Sequence, residues 1–489
     1  MKNTAAGFAG LFLTQVCALI SASYLFRVLG PAITGVYSYS FGVVSMALPL
    51  VNFGTDQPLT REVAKDRKAA GRLLLSSLSL RAPMALVVYL LLLALFHIGV
   101  LHFKEGLPPG GRLLMYVVWL TVFTESISQA VKCVFAGLER QEISSLITSG
   151  VAITRAALTI LVVYLGMRLF HMGIVAASVG ACGTIALLWL VSKTATMEFK
   201  IDRRAVRGMA TMGASFLAMD IFLGLMNRFD YLYLPTLSGN RDFGLYTASC
   251  RLTEALVAAG LAADTALFPI ITRRCQVGED SVRRAWDVTH KYLAIVAVAC
   301  AVIFALLPEQ IMLLIFGRDA AGAGAILRVI IWPAIIFFPM IPSYRILIAR
   351  NGQLRLLPLF ATRGVTNVAL NILLAPTYGV IGSAAAKVGA EALHATLCFI
   401  FPFRSVEMFP IVRWYVKPGL AGATMAVFVY LTRARVHVLL VCLGAVVVYA
   451  AALWLLRTFS SADAEIFRSA LRPGDEQPAE QIPGSHTDI

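Results

Sequence analysis

Apolar runs of about 20 residues recur along the whole chain, and short polar breaks separate them. A helix of that length crosses the hydrocarbon core of a bilayer, so the pattern predicts an all-α polytopic membrane protein with about 14 transmembrane helices. The expected spans are residues 5–26, 36–56, 80–101, 113–136, 143–165, 171–193, 211–236, 243–272, 291–314, 325–349, 355–375, 379–402, 418–433 and 437–456. The last two are short and are separated only by Arg433–Val436, so one re-entrant hairpin is the alternative for that pair.

The composition excludes a soluble globular protein. Of the 489 residues, 58% are hydrophobic and 14% are charged, whereas soluble domains carry roughly 25% charged residues. The first apolar run, residues 5–26, is long for a signal-peptide core and is followed by Arg27 without an A-x-A cleavage site. We interpret this run as a retained first span.

The net charge of +15 is distributed unevenly between the polar breaks. If the N-terminus is cytoplasmic, the breaks on that side of the membrane hold 25 Lys and Arg residues and the other breaks hold 8. This asymmetry predicts that both termini are cytoplasmic and that the number of spans is even. The basic charge therefore indicates membrane topology rather than a nucleic-acid partner. The tail, residues 460–489, is polar and is expected to be disordered.

An internal repeat divides the chain. Gly35-Val-Tyr-Ser opens the second span and is similar to Gly244-Leu-Tyr-Thr in the eighth, and Gly173-x-x-Ala-Ala-x-Val-Gly in the sixth recurs from Gly382 in the twelfth, both at an offset of 209 residues. The repeat predicts two six-helix halves related by a pseudo-two-fold axis along the membrane normal, with a central cavity between them. The expected parts are an N-terminal half (1–193), a cytoplasmic linker (194–210), a C-terminal half (211–402), two extra helices (403–459) and the tail (460–489).

Polar stripes run along six of the predicted spans. Charged side chains inside a membrane are costly and usually face a bundle interior or water, so the stripes predict a hydrated, net cationic cavity that accepts an anionic group. Guanidinium groups bind phosphate in a bidentate manner, and desolvated carboxylates titrate near neutral pH. The candidate substrate-binding residues are Arg27, Arg155, Arg228, Arg251, Arg345, Arg363, Lys132, Lys387, Asn367 and Asn371. The candidate ion-coupling residues are Asp220, Glu254, Asp264, Glu391 and Glu125.

Several of these residues have a simpler interpretation. The charges of the stripes can pair with one another and only fix helix packing, as for Arg251 and Glu254. Arg27 and Arg345 lie near span ends, where long side chains reach the lipid headgroups. His394 is either a proton carrier or a hydrogen-bonded packing residue. Three prolines of the tenth span are either a hinge or a static bend; they are Pro333, Pro339 and Pro342.

Motifs for enzymatic or metal chemistry are absent from the sequence. The cysteines occur singly, without a C-x-x-C pair, and no H-E-x-x-H, G-x-S-x-G or G-x-x-x-x-G-K-[ST] string occurs. We therefore expect neither a metal site nor a cofactor, and we expect a protein that is not an enzyme.

The N-terminal segment resembles the polysaccharide transporter family, which includes the O-antigen flippases, within the multidrug/oligosaccharidyl-lipid/polysaccharide exporter superfamily. The matching residues are Ser23-Tyr-Leu-Phe-Arg-Val-Leu-Gly-Pro31, Gly35-Val-Tyr-Ser-Tyr-Ser, Asn52-Phe-Gly54 and Thr60-Arg-Glu-Val-Ala-Lys65. The resemblance implies an inner-membrane flippase that moves an undecaprenyl-diphosphate-linked oligosaccharide to the periplasmic leaflet by alternating access, driven by protons or sodium. It also implies contacts with membrane lipid and with other polysaccharide assembly proteins.

Other functions are weighed against this one. Fourteen spans depart from the twelve common in the family and are similar to the lipid II flippases, and a cation-coupled drug antiporter of the same superfamily is a further alternative. A drug antiporter is expected to have a more acidic cavity. A glycosyltransferase or polymerase normally has a large periplasmic loop, whereas the longest outside break here is about residues 315–324. The polar stripes disfavour an assembly scaffold.

Overall fold

Every regular element of the protein that the structure describes is a helix. The computed structural model describes residues 2–194, 200–277, 279–341, 344, 356–400 and 411–459, and within them all side chains except those of residues 2–9, 11, 12, 259, 262–285, 339, 399 and 411–413. The helices are α1 (Lys2–Asn52), α2 (Asp56–Lys65), α3 (Ala70–His97), α4 (Gly111–Trp119), α5 (Thr121–Gly137), α6 (Gln141–Tyr164), α7 (Leu169–Thr194), α8 (Arg203–Leu237), α9 (Asn240–Val277), α10 (Glu279–Leu306), α11 (Pro308–Phe316), α12 (Ala323–Ile330), α13 (Trp332–Phe337), α14 (Leu357–Ile400), α15 (Ile411–Thr432) and α16 (Val438–Leu455).

The prediction of an all-α polytopic membrane protein is confirmed. In the described residues, 9 helical segments are long and apolar enough to cross a membrane, and each of the predicted spans overlaps a helix. Two helices each contain two predicted spans, because α1 is kinked at Gly30 (φ 78°) and α14 at Gly379 (φ 58°). Glycine adopts positive φ at little cost, so these positions allow the chain to change direction between two spans.

The tenth span differs from its prediction. In place of one helix over residues 325–349, the chain forms α12 and α13, and Gly322 (φ 91°) precedes α12. Helix α11 belongs to the end of the ninth span, and Gly317 (φ 85°) follows its last residue. Pro333 lies in the first turn of α13, where its missing N–H costs nothing. Pro342 lies outside the described residues. The hinge stays a prediction.

The third span also begins earlier than expected, at Ala70 rather than residue 80. The segment before it, which the hydropathy pattern assigns to a polar break, forms the short helix α2. Leu59 and Val63 on α2 are fully buried and pack in one cluster with Val134 of α5. One apolar face in an otherwise polar segment is enough to hold such a helix against the bundle.

The two ends of the bundle differ in charge. The connections α1–α2, α5–α6 and α7–α8 lie at one end, which we call the basic end because Arg61, Lys65, Arg203 and Arg204 are exposed there. The other end, which carries the α3–α4 and α8–α9 connections, is called the opposite end.

At the opposite end, residues of the first predicted half contact elements that follow α8. Arg27 donates hydrogen bonds to the carbonyl oxygen of Ile315, at 3.0 Å, and to that of Leu314 at the end of α11. The carboxylate of Glu105 accepts a hydrogen bond from the backbone N–H of Asn240, at 2.8 Å. These bonds join the first predicted half to the second at this end of the bundle.

The first residues of the repeated motif, Gly35 and Gly244, pack against each other. A Cβ atom added to Gly35 would lie 3.0 Å from the backbone nitrogen of Gly244, and one added to Gly244 would lie 2.9 Å from the Cα atom of Pro31. Only glycine permits this approach of α1 and α9. Contact between equivalent residues is what a two-fold axis near this point would produce; the division into two halves stays a prediction.

The last two predicted spans are the separate helices α15 and α16, of 22 and 18 residues. Both pack on α10. The indole N–H of Trp414 donates to Asp287 Oδ1 at 3.0 Å, and the hydroxyl of Tyr449 donates to the carbonyl oxygen of Ile295 at 2.9 Å. At 1.5 Å per residue they are roughly 27–33 Å long, close to the thickness of a bilayer core.

Candidate functional site

Two adjoining cavities occupy the middle of the bundle. The larger has a volume of about 790 Å³ and is lined by residues of α1, α2, α8, α9, α12, α13 and α14. The smaller has a volume of about 270 Å³ and lies between α1, α5, α6, α8 and α9. Four residues line both cavities and mark their junction: Ser45, Leu48, Arg228 and Arg251.

Most of the site residues predicted from the polar stripes line these cavities. The larger cavity contains Asp220, Arg228, Arg251, Glu254, Arg363, Asn367, Lys387 and Glu391. The smaller contains Glu125 and Arg155 together with Arg228 and Arg251. Helices from both predicted halves therefore contribute polar groups to one region, and the folding of the chain brings together stripes that are up to 266 residues apart in the sequence.

Glu254 connects two arginines at the junction of the cavities. Its Oε1 atom lies 2.7 Å from Arg228 Nη1, and its Oε2 atom lies 3.2 Å from Arg251 Nη1. Arg228 also lies over the ring of Tyr231, 4.9 Å from its centroid. Two guanidinium groups thus share one carboxylate, which leaves an excess of positive charge in this wall.

Arg155 extends this positive region into the smaller cavity. It lies 5.8 Å from the centroid of the Phe41 ring, and among the described residues no carboxylate pairs with it. Glu125 lines the same cavity and likewise has no ion-pair partner in the described chain. An unpaired guanidinium in a membrane bundle requires water or an anionic ligand.

Lys387 has a buried partner that the sequence analysis did not select. Its ammonium lies 2.9 Å from Asp230 Oδ2, and the same oxygen accepts a hydrogen bond of 2.7 Å from the hydroxyl of Tyr246. Asp230 is fully buried. The charge of Lys387 is therefore compensated within the protein. Two features of the sequence could have drawn attention to Asp230. It follows Arg228 by two residues, and its partner Tyr246 belongs to the repeated Gly-Leu-Tyr-Thr motif.

On α14, Arg363 and Glu391 form an ion pair. Asn367 donates from Nδ2 to the carbonyl oxygens of Leu225 and Met226, at 3.1 and 3.2 Å. Asn371 is completely buried, is hydrogen bonded to Asn367 at 2.9 Å, and does not line either cavity. These contacts give Asn371 a packing role, and its assignment to substrate binding stays a prediction.

The structure identifies Arg81 as a further charged residue of this region. Its side chain is 1% exposed and lies 2.6 Å from Asp56 Oδ1. Its Nε atom donates to the hydroxyls of Thr55 and Ser77, at 3.1 and 3.0 Å. Gln129 donates to the second oxygen of Asp56 at 3.2 Å, and Asp56 lines the larger cavity. The sequence analysis missed this pair because it placed the start of the third span at residue 80, ten residues after the observed start at Ala70, so that Arg81 fell at the end of a span.

Four other predicted residues lie elsewhere or outside the description. Arg27 lies at the opposite end and binds backbone carbonyls, because it is too close to the helix terminus to reach the cavities. Lys132 lines neither cavity. Arg345 lies outside the described residues, and Asp264 lies on α9 with a side chain outside the description.

His394 is a buried, hydrogen-bonded residue. Its Nε2 atom lies 2.5 Å from the hydroxyl of Tyr344, and its Nδ1 atom lies 3.2 Å from the carbonyl oxygen of Leu359. Both ring nitrogens therefore have partners, which agrees with the packing interpretation.

The charge of the larger cavity differs from the expectation of a net cationic lining. Its described lining contains four basic residues and four acidic ones, Asp56, Asp220, Glu254 and Glu391. Three of the acidic residues are ion-paired. The positive excess is local, at the junction and in the smaller cavity, where Arg155, Arg228 and Arg251 outnumber Glu254 and Glu125. In the described residues no group of His, Cys, Asp and Glu is arranged to hold a metal ion.

The fold and this polar interior define a multi-pass, all-helical membrane protein. Residues 1–274 match the family of polysaccharide biosynthesis proteins, and the chain belongs to that family. The resemblance to polysaccharide transporters is thereby confirmed. No curated protein sequence matches the chain significantly.

Solved structures with this fold include flippases and exporters. The lipid II flippase MurJ in an inward closed conformation aligns with a TM-score of 0.74 and 14% identity, over 95% of this chain and 99% of that one. An inward-facing multidrug resistance MATE family transporter aligns with a TM-score of 0.63 and 15% identity, over 82% and 95%. A MOP-superfamily transporter from Pyrococcus furiosus aligns with a TM-score of 0.58 and 15% identity, over 84% and 96%. At these identities the similarity establishes the fold alone.

Proposed function

We propose that the protein is a flippase that moves an undecaprenyl-diphosphate-linked oligosaccharide from the cytoplasmic to the periplasmic leaflet of the bacterial inner membrane. Membership of a polysaccharide biosynthesis family supports a saccharide substrate. The single observation that carries the proposal is the unpaired guanidinium of Arg155 beside Arg228 and Arg251 in one cavity. Three guanidiniums in a region of low dielectric constant favour a multiply charged anion such as a diphosphate.

The arrangement of the helices supports alternating access. The substrate enters from the basic end, which we assign to the cytoplasm because Lys and Arg concentrate there. Its diphosphate binds at the junction of the cavities while the polyprenyl chain stays in the lipid. The contacts of Arg27 and Glu105 at the opposite end then open to release the headgroup.

The ion that drives the cycle, a proton or sodium, requires a carboxylate whose charge is not already compensated. Glu254 and Glu391 each pair with arginine. Glu125 and Asp220 have no such partner in the described chain, and of the two only Glu125 lines the same cavity as Arg155. We therefore assign coupling to Glu125, since binding of a cation there and binding of an anion at Arg155 would each affect the other electrostatically.

The test compares Arg155→Gln with Arg168→Gln in a strain that lacks the chromosomal copy. Arg155 has no ion pair to break, so its replacement removes a candidate substrate contact without leaving an orphan carboxylate. Arg168 is exposed in the α6–α7 connection and serves as the matched control. We expect Arg155→Gln, and likewise Arg228→Ala and Arg363→Ala, to abolish export and to accumulate lipid-linked oligosaccharide in the cytoplasmic leaflet. Normal export by all three variants contradicts the proposal.

A lipid II flippase is the second candidate, supported by the alignment of 95% of this chain with MurJ. The same deletion strain separates the two. Accumulation of lipid II favours this candidate, whereas accumulation of another lipid-linked oligosaccharide favours the first.

A further inference from the structure

The polar lining of the larger cavity changes in character along the bundle. Helix α8 runs antiparallel to the second part of α1, with Gly54 beside Leu217 and Gly42 beside Tyr231. This register places Asp220 close to the basic end and Arg228 about 12 Å farther along α8. The arginines therefore lie toward the middle of the bundle, and a different set of groups lies between them and the basic end.

That set consists of Asn52, Asp56 and Asp220, which we call the carboxylate–amide section. All three line the larger cavity. Asn52 and Asp56 flank the α1–α2 connection, and Asp220 belongs to α8, so the section is formed by both predicted halves. Asp220 has neither a hydrogen bond nor an ion pair in the described chain.

Asn52 is oriented so that its donor is free. The residue is 7% exposed, and its Oδ1 atom accepts a hydrogen bond of 2.7 Å from Ser126 Oγ. Its Nδ2 atom donates to no described residue, although the side chain lines the cavity. A nearly buried amide donor without a partner costs free energy unless a ligand or water accepts its hydrogen bond.

The section is held rigid by the buried guanidinium of Arg81. Arg81 binds Asp56 directly, at 2.6 Å, and its Nη1 atom donates to the backbone carbonyl of Ser126 at 3.3 Å. Ser126 in turn holds Asn52. One side chain on α3 thus positions both residues of the α1–α2 connection, and rigid support of this kind is what a binding site requires.

We propose that the carboxylate–amide section binds the hydroxyl groups of the saccharide, and that Arg81 is a positioning residue for it. This inference rests on the proposed function. It assigns the saccharide to the carboxylate–amide section and the diphosphate to the arginines. A hydroxyl group is both a donor and an acceptor, so it fits a free amide N–H beside carboxylate oxygens. A diphosphate only accepts hydrogen bonds and is repelled by the unpaired carboxylate of Asp220, which directs it to the arginines.

A bound cation would use the carboxylates differently. Hard cations such as sodium take oxygen ligands, and here the amide oxygen of Asn52 already accepts from Ser126, while the two oxygens of Asp56 accept from Arg81 and Gln129. The donor–acceptor mixture therefore favours hydroxyl groups over a metal ion.

The test uses the full-length protein in lipid nanodiscs and two probes, the neutral trisaccharide of N-acetylglucosamine and geranyl diphosphate, which carries no sugar. Asp220→Asn is compared with Asp242→Asn, the same change at an exposed position of α9 at the opposite end. We expect Asp220→Asn to raise the Kd for the trisaccharide about tenfold and to leave the Kd for geranyl diphosphate unchanged. Arg251→Gln is expected to do the reverse.

Arg81→Lys tests the positioning role, since lysine keeps the charge and loses the planar fork of donors. We expect weaker trisaccharide binding with an unchanged Kd for geranyl diphosphate, a difference that a general loss of folding does not produce.

The proposal is overturned if Asp220→Asn binds the trisaccharide as Asp242→Asn does. It is also overturned if the only effect of Asp220→Asn is that ligand binding no longer depends on the sodium concentration. Wild-type protein that binds the trisaccharide but not geranyl diphosphate contradicts the proposed function alone, and the converse contradicts this inference alone.

Discussion

Arg228 of α8 and Glu254 of α9 form an ion pair of 2.7 Å at the junction of the two central cavities. Glu254 also binds Arg251, at 3.2 Å. The carboxylate thereby sets the position of two guanidinium groups and limits the positive charge that they present.

Removal of this carboxylate charge is expected to strengthen anion binding. In Glu254→Gln, Arg228 and Arg251 lose their compensating charge, so the affinity for geranyl diphosphate should rise several-fold. Isothermal titration of the purified variant measures the change. Glu62→Gln, whose partner Lys65 lies in an exposed pair, is the matched control and should bind like the wild type. Weaker binding by Glu254→Gln than by the control would show that Glu254 supports the site mainly through its geometry.

The Arg81–Asp56 pair is expected to contribute to stability in a non-additive way. Arg81→Met leaves Asp56 without its counter-ion, and the loss of one partner of a buried pair costs roughly 3–5 kcal/mol. The double variant Arg81→Met/Asp56→Leu removes both charges and should recover most of that loss. Thermal unfolding in detergent, followed for both variants and the wild type, gives the comparison. Equal destabilisation of the single and double variants would argue against a coupled pair.

The contacts at the opposite end are expected to govern access from that side. Arg27→Ala and Glu105→Ala remove bonds that join α1 to α11 and the α3–α4 connection to α9. In a cysteine-free background, Ser38→Cys in the smaller cavity should then react faster with a membrane-impermeant maleimide added from the periplasmic side. Arg241→Ala, an exposed arginine at the same end, is expected to leave the labelling rate unchanged. An unchanged rate in the first two variants would mean that other contacts close this end.

The glycine contact between α1 and α9 is expected to tolerate no side chain. Gly244→Ala places a methyl group against the backbone of Pro31, which cannot move without displacing α1. We expect a lower unfolding temperature and loss of export. Gly150→Ala is the control, because no atom lies within 4 Å of the added methyl group and alanine favours a helix. Wild-type behaviour of Gly244→Ala would show that the two helices separate easily at this point.

Residues that share a helical face were identified from the sequence because their spacing follows the helix period. Arg228, Arg251 and Glu254 were found in this way. The same approach missed Arg81, because it requires the position at which a helix begins. The start of an apolar run differs from the start of the helix by a turn or more when a short amphipathic helix such as α2 comes before that run. Partners on different helices, such as Asp230 and Lys387, share no period and cannot be paired from spacing.

The sequence by itself determined that the chain crosses a membrane many times as helices, because every apolar run must satisfy its backbone hydrogen bonds internally in lipid. It also determined which spans carry polar stripes. Only the tertiary structure decided which charges remain uncompensated. Lys387 is neutralised by Asp230, and Arg27 binds carbonyls at the opposite end, whereas Arg155 has no ion pair in the described chain. The reason is physical: the electrostatic state of a buried charge depends on which groups lie within a few ångströms of it, and helix packing alone fixes those neighbours.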